Sequence, residues 1–294
     1  MNRTTFLDLL GDLPLTCEPL VEIISEEECE GFIRQKISYQ TEDTERISAY
    51  LCIPDKAKQE TPAIFCHHQH AGNFQLGKSE VVGLKGDPTQ AYAMELTQRG
   101  YITISPDAIG FEERSHPTHP DEYHHHLLKT RLLKGQTLLG KTLHDISMGI
   151  SVLINLPIVN PNKIGFIGHS YGGRAALFAP AFDKRITSSI SVCGCSSFQY
   201  MLDNETGIQA DYCVPDFLKH GDIPDVVKLF ENCSLCLLAA TEDKWSQSSD
   251  DIARVVASSF ISDELFVKTY SSEHVFNDNM KQDAYNFIER TLSI

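Results

Sequence analysis

The chain has 294 residues, of which 41% are hydrophobic and 22% are charged, and this composition is typical of a soluble globular protein with one or two domains. Its formal net charge of −15 repels polyanions, so we expect neither nucleic acid nor a membrane surface as a partner. The first residues lack the apolar core of a signal peptide, and no apolar run is long enough for a membrane span, so we expect a cytoplasmic location.

The elements in chain order predict an α/β protein. Residues 1–30 are expected to form an N-terminal extension packed on the core, and residues 31–294 a single domain. Segments 32–39 and 46–53 predict an antiparallel hairpin. Six further apolar β segments follow, at 63–66, 101–104, 164–167, 188–192, 235–240 and 265–270. Helical patterns alternate with them near 88–99, 137–156, 172–181, 250–260 and 279–292. This alternation predicts a mostly parallel sheet of about eight strands with helices on both faces.

Two segments between the predicted elements are longer than ordinary loops. Residues 107–136 follow the fourth predicted strand, and residues 194–232 follow the sixth. Both leave the carboxyl edge of the sheet, where open α/β sheets bind their ligands. We therefore expect these two insertions to form the walls of a substrate pocket.

The most informative motif is Gly168-His169-Ser170-Tyr171-Gly172, which lies between a predicted strand and a predicted helix. A strand, a sharp G-x-S-x-G turn and a helix form the nucleophile elbow of the α/β-hydrolases. The turn strains the backbone of the serine and leaves no room for side chains two residues before and after it. Ser170 is therefore predicted to be a nucleophile.

An acid and a histidine follow the predicted nucleophile in the chain order that this fold requires. Asp243 comes directly after the strand 235–240, and His274 comes after the last strand. We assign His274 as the general base and then acid, and Asp243 as the carboxylate that orients the imidazole. Glu242 is the direct rival of Asp243, since either carboxylate is close enough in sequence to reach the ring.

These motifs together resemble the dienelactone-hydrolase-like and acetyl-xylan-esterase-like bacterial branch of the α/β-hydrolases. The resemblance covers about residues 60–290 and includes His68-Gln69-His70, Leu76-Gly77-Lys78-Ser79-Glu80, Ser105-Pro106-Asp107, the Ser170 turn, Thr241-Glu242-Asp243-Lys244 and Glu273-His274. It implies hydrolysis of an ester, lactone or related acyl bond in a small molecule, without a metal. Dienelactone hydrolases use a cysteine nucleophile, so the serine here favours a serine esterase.

The same resemblance implies an oxyanion hole built from backbone N–H groups. Tyr171 is expected to supply the first donor by the geometry of the elbow, and either Gln69 or His70, in the turn after the third strand, the second. The alternative for that turn is a polar rim of the site without a role at the oxyanion. Further candidates for the substrate pocket are His68, Glu112, Glu113, Arg114, His169 and Trp245. Glu112, Glu113 and Arg114 would equally suit a solvated surface.

We expect no cofactor and no metal. The histidines of the first insertion include three consecutive ones, which point in different directions and cannot easily bind one ion; they are His116, His119, His124, His125 and His126. The nine cysteines cannot all pair, and the two closely spaced pairs among them, Cys193/Cys195 and Cys233/Cys236, are interpreted as buried small side chains.

Three functions stay open from the sequence, and they differ in chemistry. The first is a serine esterase for small carboxylic esters, and the second is an amidase, peptidase or thioesterase with the same triad. The third is a non-catalytic ligand-binding protein on the hydrolase fold. The sequence also leaves a homo-oligomer open.

Overall fold

The computed structural model describes residues 1–42, 44–258, 260 and 264–294, and within them nine strands form one sheet. In chain order the strands are β1 (Val21–Cys29), β2 (Phe32–Glu42), β3 (Glu45–Pro54), β4 (Thr61–His67), β5 (Ile102–Pro106), β6 (Val159–His169), β7 (Ser188–Val192), β8 (Ser234–Ala240) and β9 (Leu265–Tyr270). Across the sheet their order is β1-β2-β3-β5-β4-β6-β7-β8-β9.

The pairing divides this sheet into an antiparallel edge and a parallel body. β1, β2 and β3 pair antiparallel, as do β3 and β5. From β5 through β4 to β9 every neighbouring pair is parallel. The predicted α/β class and mostly parallel sheet are confirmed, with one strand more than the eight expected.

The additional strand is β1, which lies within the segment 1–30 that the sequence analysis treated as an extension. It pairs with β2 at the edge of the sheet, and nearly all its side chains are exposed. Because neither face of β1 is covered, its sequence carries no alternation of apolar and polar residues. The pattern by which strands are recognised is therefore missing.

Helices cover both faces of the parallel body. They are α1 (Arg3–Leu9), α2 (Lys78–Val81), α3 (Tyr92–Gln98), α4 (Pro120–Leu133), α5 (Leu138–Ile154), α6 (Tyr171–Ala175), α7 (Ala179–Phe182), α8 (Phe198–Asp203), α9 (Phe217–His220), α10 (Ile223–Val227), α11 (Ser249–Ala257) and α12 (Asp278–Thr291). The five predicted helices correspond to α3, α5, α6 with α7, α11 and α12. Residue 259, within the predicted helix 250–260, lies outside the described residues. None of the described helices is long and apolar enough to span a membrane.

Alternate side chains of the central strands supply two separate cores. Phe65 on β4 and Phe166 on β6 stack with ring centroids 5.2 Å apart on the face that α5 covers. Their neighbours Ile64 and Ile167 point to the opposite face, where they pack with α3 and α12. This period of two explains why the strands are continuously apolar, since both faces must be dry.

The first helix, α1, packs against the core on the α5 side. Phe6 is fully buried and stacks on Phe178, with ring centroids 6.3 Å apart. The backbone oxygen of Leu10 accepts a hydrogen bond of 2.7 Å from the hydroxyl of Thr137, which caps the start of α5. The N-terminal segment is thereby attached to a helix that lies directly on the sheet.

We predict that Phe6→Ala lowers the free energy of unfolding by about 3–5 kcal/mol, because it removes a buried ring from this contact. Leu15→Ala is the control, since Leu15 is 89% exposed and its loss should change stability by no more than about 0.5 kcal/mol. Urea unfolding of both variants checks the prediction. Equal stabilities would show that α1 contributes little to the fold.

Candidate active site

Ser170 lies at a sharp turn between β6 and α6, and its backbone adopts a conformation that few side chains tolerate. Its φ is +57° and its ψ is −112°. The N–H of Ser170 donates to the backbone oxygen of Val192 on β7 at 2.8 Å, and its C=O accepts from the N–H of Arg174 at 2.8 Å. Such strain costs on the order of 1–3 kcal/mol and persists only where the surroundings enforce it. The turn therefore holds the Ser170 hydroxyl above the carboxyl edge of the sheet.

Two glycines make this turn possible because the backbone passes too close for any side chain. A Cβ at Gly168 would lie 2.3 Å from the carbonyl carbon of Gly172. A Cβ at Gly172 would lie 2.2 Å from the backbone oxygen of His67. The same close approach brings the turn after β4 against the start of α6.

A chain of hydrogen bonds connects Ser170 to the two residues predicted at the ends of later strands. Nε2 of His274 lies 2.7 Å from Oγ of Ser170, and Nδ1 of His274 lies 2.7 Å from Oδ2 of Asp243. Because a carboxylate only accepts hydrogen bonds, the proton of the neutral ring is on Nδ1 and Nε2 accepts from the serine hydroxyl. The three predicted side chains therefore come together in the order that general-base activation of a serine requires.

Further hydrogen-bond donors fix the Asp243 carboxylate, whereas its rival, Glu242, is exposed. Oδ1 of Asp243 accepts the backbone N–H groups of Trp245 at 2.8 Å and Ser246 at 3.2 Å, and the side chain is fully buried. Glu242 is exposed, and the structure gives its carboxylate no contact with His274. Only the Asp243 carboxylate therefore touches the imidazole.

A cavity of about 560 Å³ opens above the serine. It is lined by Gln69, His70, Ala71, Gly72, Ser170, Gly207, Ile208, Gln209, Trp245 and His274. The first four belong to the turn after β4, and residues 207–209 belong to the second insertion. The serine and the histidine thus face a space of the size that a small organic molecule occupies.

Two segments near the serine offer backbone N–H groups as candidate donors to an oxyanion. Tyr171 is the first residue of α6, so its N–H has no acceptor within the helix. Gln69 and His70 also line the cavity, and the Gln69 side chain donates to Glu80 at 3.2 Å. Both of the alternatives from the sequence therefore remain in place for the second donor.

Comparison with known proteins adds an independent observation. The family model described as acetyl xylan esterase (AXE1) matches residues 26–227, which is more than half of the chain. The chain belongs to this family of α/β-hydrolases. The chain is 25% identical, over 99% of both chains, to YtaP of Bacillus subtilis (strain 168), a protein whose name describes it as a hydrolase. Membership of the family implies the hydrolysis of an ester.

Solved structures of two esterases share the fold. Acetyl xylan esterase 1 from Thermoanaerobacterium sp. superposes with a TM-score of 0.68 at 13% identity, covering 100% of this chain and 99% of its own. A glucuronoyl esterase from Solibacter usitatus superposes with a TM-score of 0.72 at 14% identity, covering 98% and 91%. At this level of identity the likeness shows the fold alone, and it confirms the α/β-hydrolase architecture.

Of the further pocket candidates in this AXE1-family chain, Trp245 lines the cavity and the others do not. His68 is fully buried, where its Nδ1 bonds to the backbone oxygen of Gln69 at 2.8 Å and its Nε2 accepts the N–H of Ala108 at 3.1 Å. His169 is also buried, and its Nδ1 lies 3.2 Å from the side-chain oxygen of Gln90. His68 thus bonds to the backbone of the turns after β4 and β5, whereas His169 bonds to a side chain.

Glu112, Glu113 and Arg114 also differ from the expectation, because they form ion pairs within the protein. The ammonium group of Lys78 is fully buried and lies 3.0 Å from Glu112 and 2.7 Å from Glu113. Asp107 completes this cluster at 2.7 Å from the same nitrogen. An ammonium group at the centre occupies the position that a metal ion would need among these three carboxylates.

Arg114 forms a second buried cluster beside the first. Its guanidinium lies 2.6 Å from a carboxylate oxygen of Glu45 and 2.8 Å from one of Asp145. These carboxylates raise the pKa of the Arg114 side chain above its ordinary value despite burial. The start of the first insertion is therefore fastened to β3 and α5 by charge, and it does not line the cavity.

The histidine-rich part of the first insertion does not converge on one point. The rings of His116 and His119 stack on each other, and His125 and His126 are exposed. His124 alone points inward, where its Nε2 lies 2.9 Å from Oδ2 of Asp211. The first insertion was expected to form a wall of the pocket, but the residues that line the cavity above Ser170 come from other segments.

Asp211 is a residue that the sequence analysis missed. It is buried, and its Oδ1 accepts the hydroxyl of Tyr171 at 3.0 Å while Oδ2 holds His124. A single carboxylate in the second insertion therefore ties the first insertion to the start of α6. Nothing around it in the sequence forms a motif, so only the folded chain reveals this role.

Three histidines around the serine are buried and neutral. Burial lowers the pKa of His67 to about 4 and the pKa of His68 and His169 to about 3. An unfolded chain protonates these rings below about pH 6.5, whereas the folded chain does not until far lower pH. Their contribution to stability is present above about pH 6.5 and is lost as the pH falls towards about 3.

We predict that His169→Phe weakens the pH dependence of stability. Between about pH 7.5 and 5.5 the variant should lose about 1.4 kcal/mol less unfolding free energy than the unaltered protein, because it has no ring to protonate on unfolding. His169→Gln should behave alike, although it packs differently. Urea unfolding at both pH values tests this, and unchanged slopes in both variants would mean that the ring takes up its proton at the same pH in the folded and the unfolded chain.

Proposed function

We propose that this AXE1-family protein is a serine esterase that cleaves small carboxylic esters through an acyl-enzyme on Ser170. The observation that carries the proposal is the hydrogen-bonded chain from Asp243 through His274 to Ser170 at the wall of an open cavity. Family membership supports the ester as the bond that is cleaved.

The first half of the reaction transfers the acyl group to the serine. As Oγ of Ser170 attacks the ester carbonyl carbon, its proton passes to Nε2 of His274. Asp243 then faces an imidazolium, whose charge its carboxylate stabilises. His274 gives the same proton to the oxygen of the leaving alcohol, so the C–O bond breaks and the acyl-enzyme remains.

The oxygen of the tetrahedral intermediate carries a negative charge that needs fixed donors. The N–H of Tyr171 is directed from the first turn of α6, whose positive end also faces this oxygen. The second donor comes from the turn after β4, at Gln69 or His70. That turn packs directly against Gly172, where a Cβ would lie 2.2 Å from the backbone oxygen of His67.

The second half reverses the proton transfers on water. His274 removes a proton from the incoming water, hydroxide adds to the acyl carbon, and Ser170 Oγ leaves with the proton. The products are a carboxylic acid and the free enzyme. Because the family and a structural neighbour are described as acetyl xylan esterases, acetyl esters of sugar hydroxyls are the first natural compounds to test. The chromogenic probe is para-nitrophenyl acetate.

We predict that Ser170→Ala lowers kcat on para-nitrophenyl acetate by about 10⁴- to 10⁶-fold, because the nucleophile is lost. The exposed Ser271→Ala is the control and should retain activity. Stopped-flow release of para-nitrophenol measures both, and the unaltered protein should show a burst close to the enzyme concentration. Full activity in Ser170→Ala would refute the mechanism.

A second prediction separates the two neighbouring carboxylates. Asp243→Asn should lower kcat by about 10⁴-fold, because the amide cannot stabilise the imidazolium and favours the wrong tautomer. Glu242→Gln makes the same chemical change one residue away and should leave kcat within about twofold. The assignment is wrong if Glu242→Gln is the inactive variant and Asp243→Asn remains active.

A further inference from the structure

Arg174 is a buried cation directly behind the serine. It belongs to α6, four residues after Ser170, and its backbone N–H donates to the Ser170 carbonyl oxygen at 2.8 Å. The residue is only 2% exposed. Its guanidinium therefore lies inside the protein at a short distance in sequence from the nucleophile.

The surroundings of this guanidinium leave one of its nitrogen atoms buried without an acceptor. One Nη donates to the side-chain oxygen of Gln209, and Nε is buried without a hydrogen-bond partner. The Cζ atom of Arg174 lies over the ring of Tyr212, 5.8 Å from the ring centre. Among the described residues no carboxylate forms an ion pair with it.

The other buried Lys and Arg side chains among the described residues have carboxylate partners, so within this part of the chain the missing partner is specific to Arg174. Arg114 has Glu45 and Asp145, and Lys78 has three carboxylates. Burying a charge without a counter-charge is strongly unfavourable. Consistent with this, burial lowers the pKa of Arg174, whereas the ion-paired Arg114 has a raised pKa.

Gln209 is the only hydrogen-bond partner of the Arg174 guanidinium among the described residues, and it belongs to the wall of the catalytic cavity. Gln209 lines that cavity together with Ser170 and His274. Its amide oxygen occupies the place of an acceptor but brings no charge. Rotation of the half-buried Gln209 side chain away from Arg174 would open the guanidinium to whatever lies in the cavity.

A carboxylate is the group that this arrangement would bind best. A guanidinium offers parallel donors that match the two oxygens of a carboxylate, and hydrogen bonds between charged groups are about twice as strong as neutral ones. Asp243, the carboxylate whose charge acts on Arg174 through space, already accepts from His274, Trp245 and Ser246.

We propose that Arg174 and Gln209 form a carboxylate-binding subsite of the catalytic cavity, so that the preferred esters carry a carboxylate beside the ester group. The inference rests on the proposed esterase function and names its substrate class. The carboxylate comes from either the acyl part or the alcohol part of the ester. Arg174 is thus a specificity residue in a protein that is otherwise strongly acidic.

Matched pairs of esters test both sources. Monomethyl glutarate and methyl glutaramate differ only by a carboxylate or an amide in the acyl part. Para-acetoxybenzoate and para-acetoxybenzamide differ in the same way in the alcohol part. The readout is the ratio of kcat/KM for the charged and neutral members, corrected by their rates of hydrolysis in hydroxide.

The unaltered protein should favour the charged member of at least one pair by about 10- to 100-fold, as expected for a hydrogen-bonded charge pair. Arg174→Gln should bring that ratio close to one. Because both members of a pair are measured on the same variant, general damage to the fold cancels in the ratio. A merely structural role for Arg174 would therefore leave the ratio unchanged. A preference within one pair also identifies the part of the ester that carries the carboxylate.

Gln209→Glu provides a second variant that should fold at least as well, because it places a counter-charge beside Arg174. It should abolish the preference for the charged ester and raise the thermal unfolding temperature. Gln199→Glu adds the same charge on the exposed face of α8 and should keep the original ratio.

The two hypotheses fail in different ways. Ratios near one for both pairs in the unaltered protein, with efficient hydrolysis that depends on Ser170, would overturn the subsite and leave the esterase. If no ester is hydrolysed, the proposed function fails, and calorimetric binding of glutarate decides the subsite. Equal affinity of the unaltered protein and Arg174→Gln for glutarate would overturn it.

Discussion

The site depends on one close approach of backbone to backbone at the turn between β6 and α6. Gly168, Gly172 and the carbonyl of His67 meet at distances that exclude any Cβ, and Ser170 is held at a positive φ as a result. This close backbone packing positions the nucleophile, the start of α6 and the turn after β4. The parallel sheet beneath supplies the rigidity that the strained turn needs, since its strands are buried on both faces.

Charge, in addition to aromatic packing, holds the parts that surround this turn. Lys78 gathers three carboxylates, Arg114 two, and Asp211 joins both insertions to Tyr171. Removing one member of such a buried cluster leaves an uncompensated charge, so each cluster resists local opening. Arg174 stands apart because, among the described residues, its guanidinium has no ion-pair partner and donates its hydrogen bond to the uncharged amide of Gln209, which lines the cavity. The contrast is the physical reason for expecting that a ligand completes this group.

The elements and site residues that follow strict local patterns could be predicted from the sequence. The alternation of apolar strands and helices predicted the sheet, and the G-x-S-x-G turn placed Ser170; strand order then predicted that His274 and Asp243 would come within reach of it. It did not predict β1, whose exposed faces leave no hydrophobic period. Nor could it show that Glu112 pairs with Lys78 rather than facing a ligand, because that depends on how a long loop folds back. Gln209 was missed for the same reason, since its place in the cavity is set by contacts remote in sequence.

The central claim is that an acyl group is carried on Ser170, and its most direct test is mass spectrometry of the trapped intermediate. The protein is mixed with para-nitrophenyl acetate, quenched in acid within the burst phase and digested. The account predicts an acetyl mass increase on the peptide that contains Ser170, absent from Ser170→Ala and lost with time as water releases it. Turnover with no adduct on that peptide, or a stable adduct on another residue, would contradict the account.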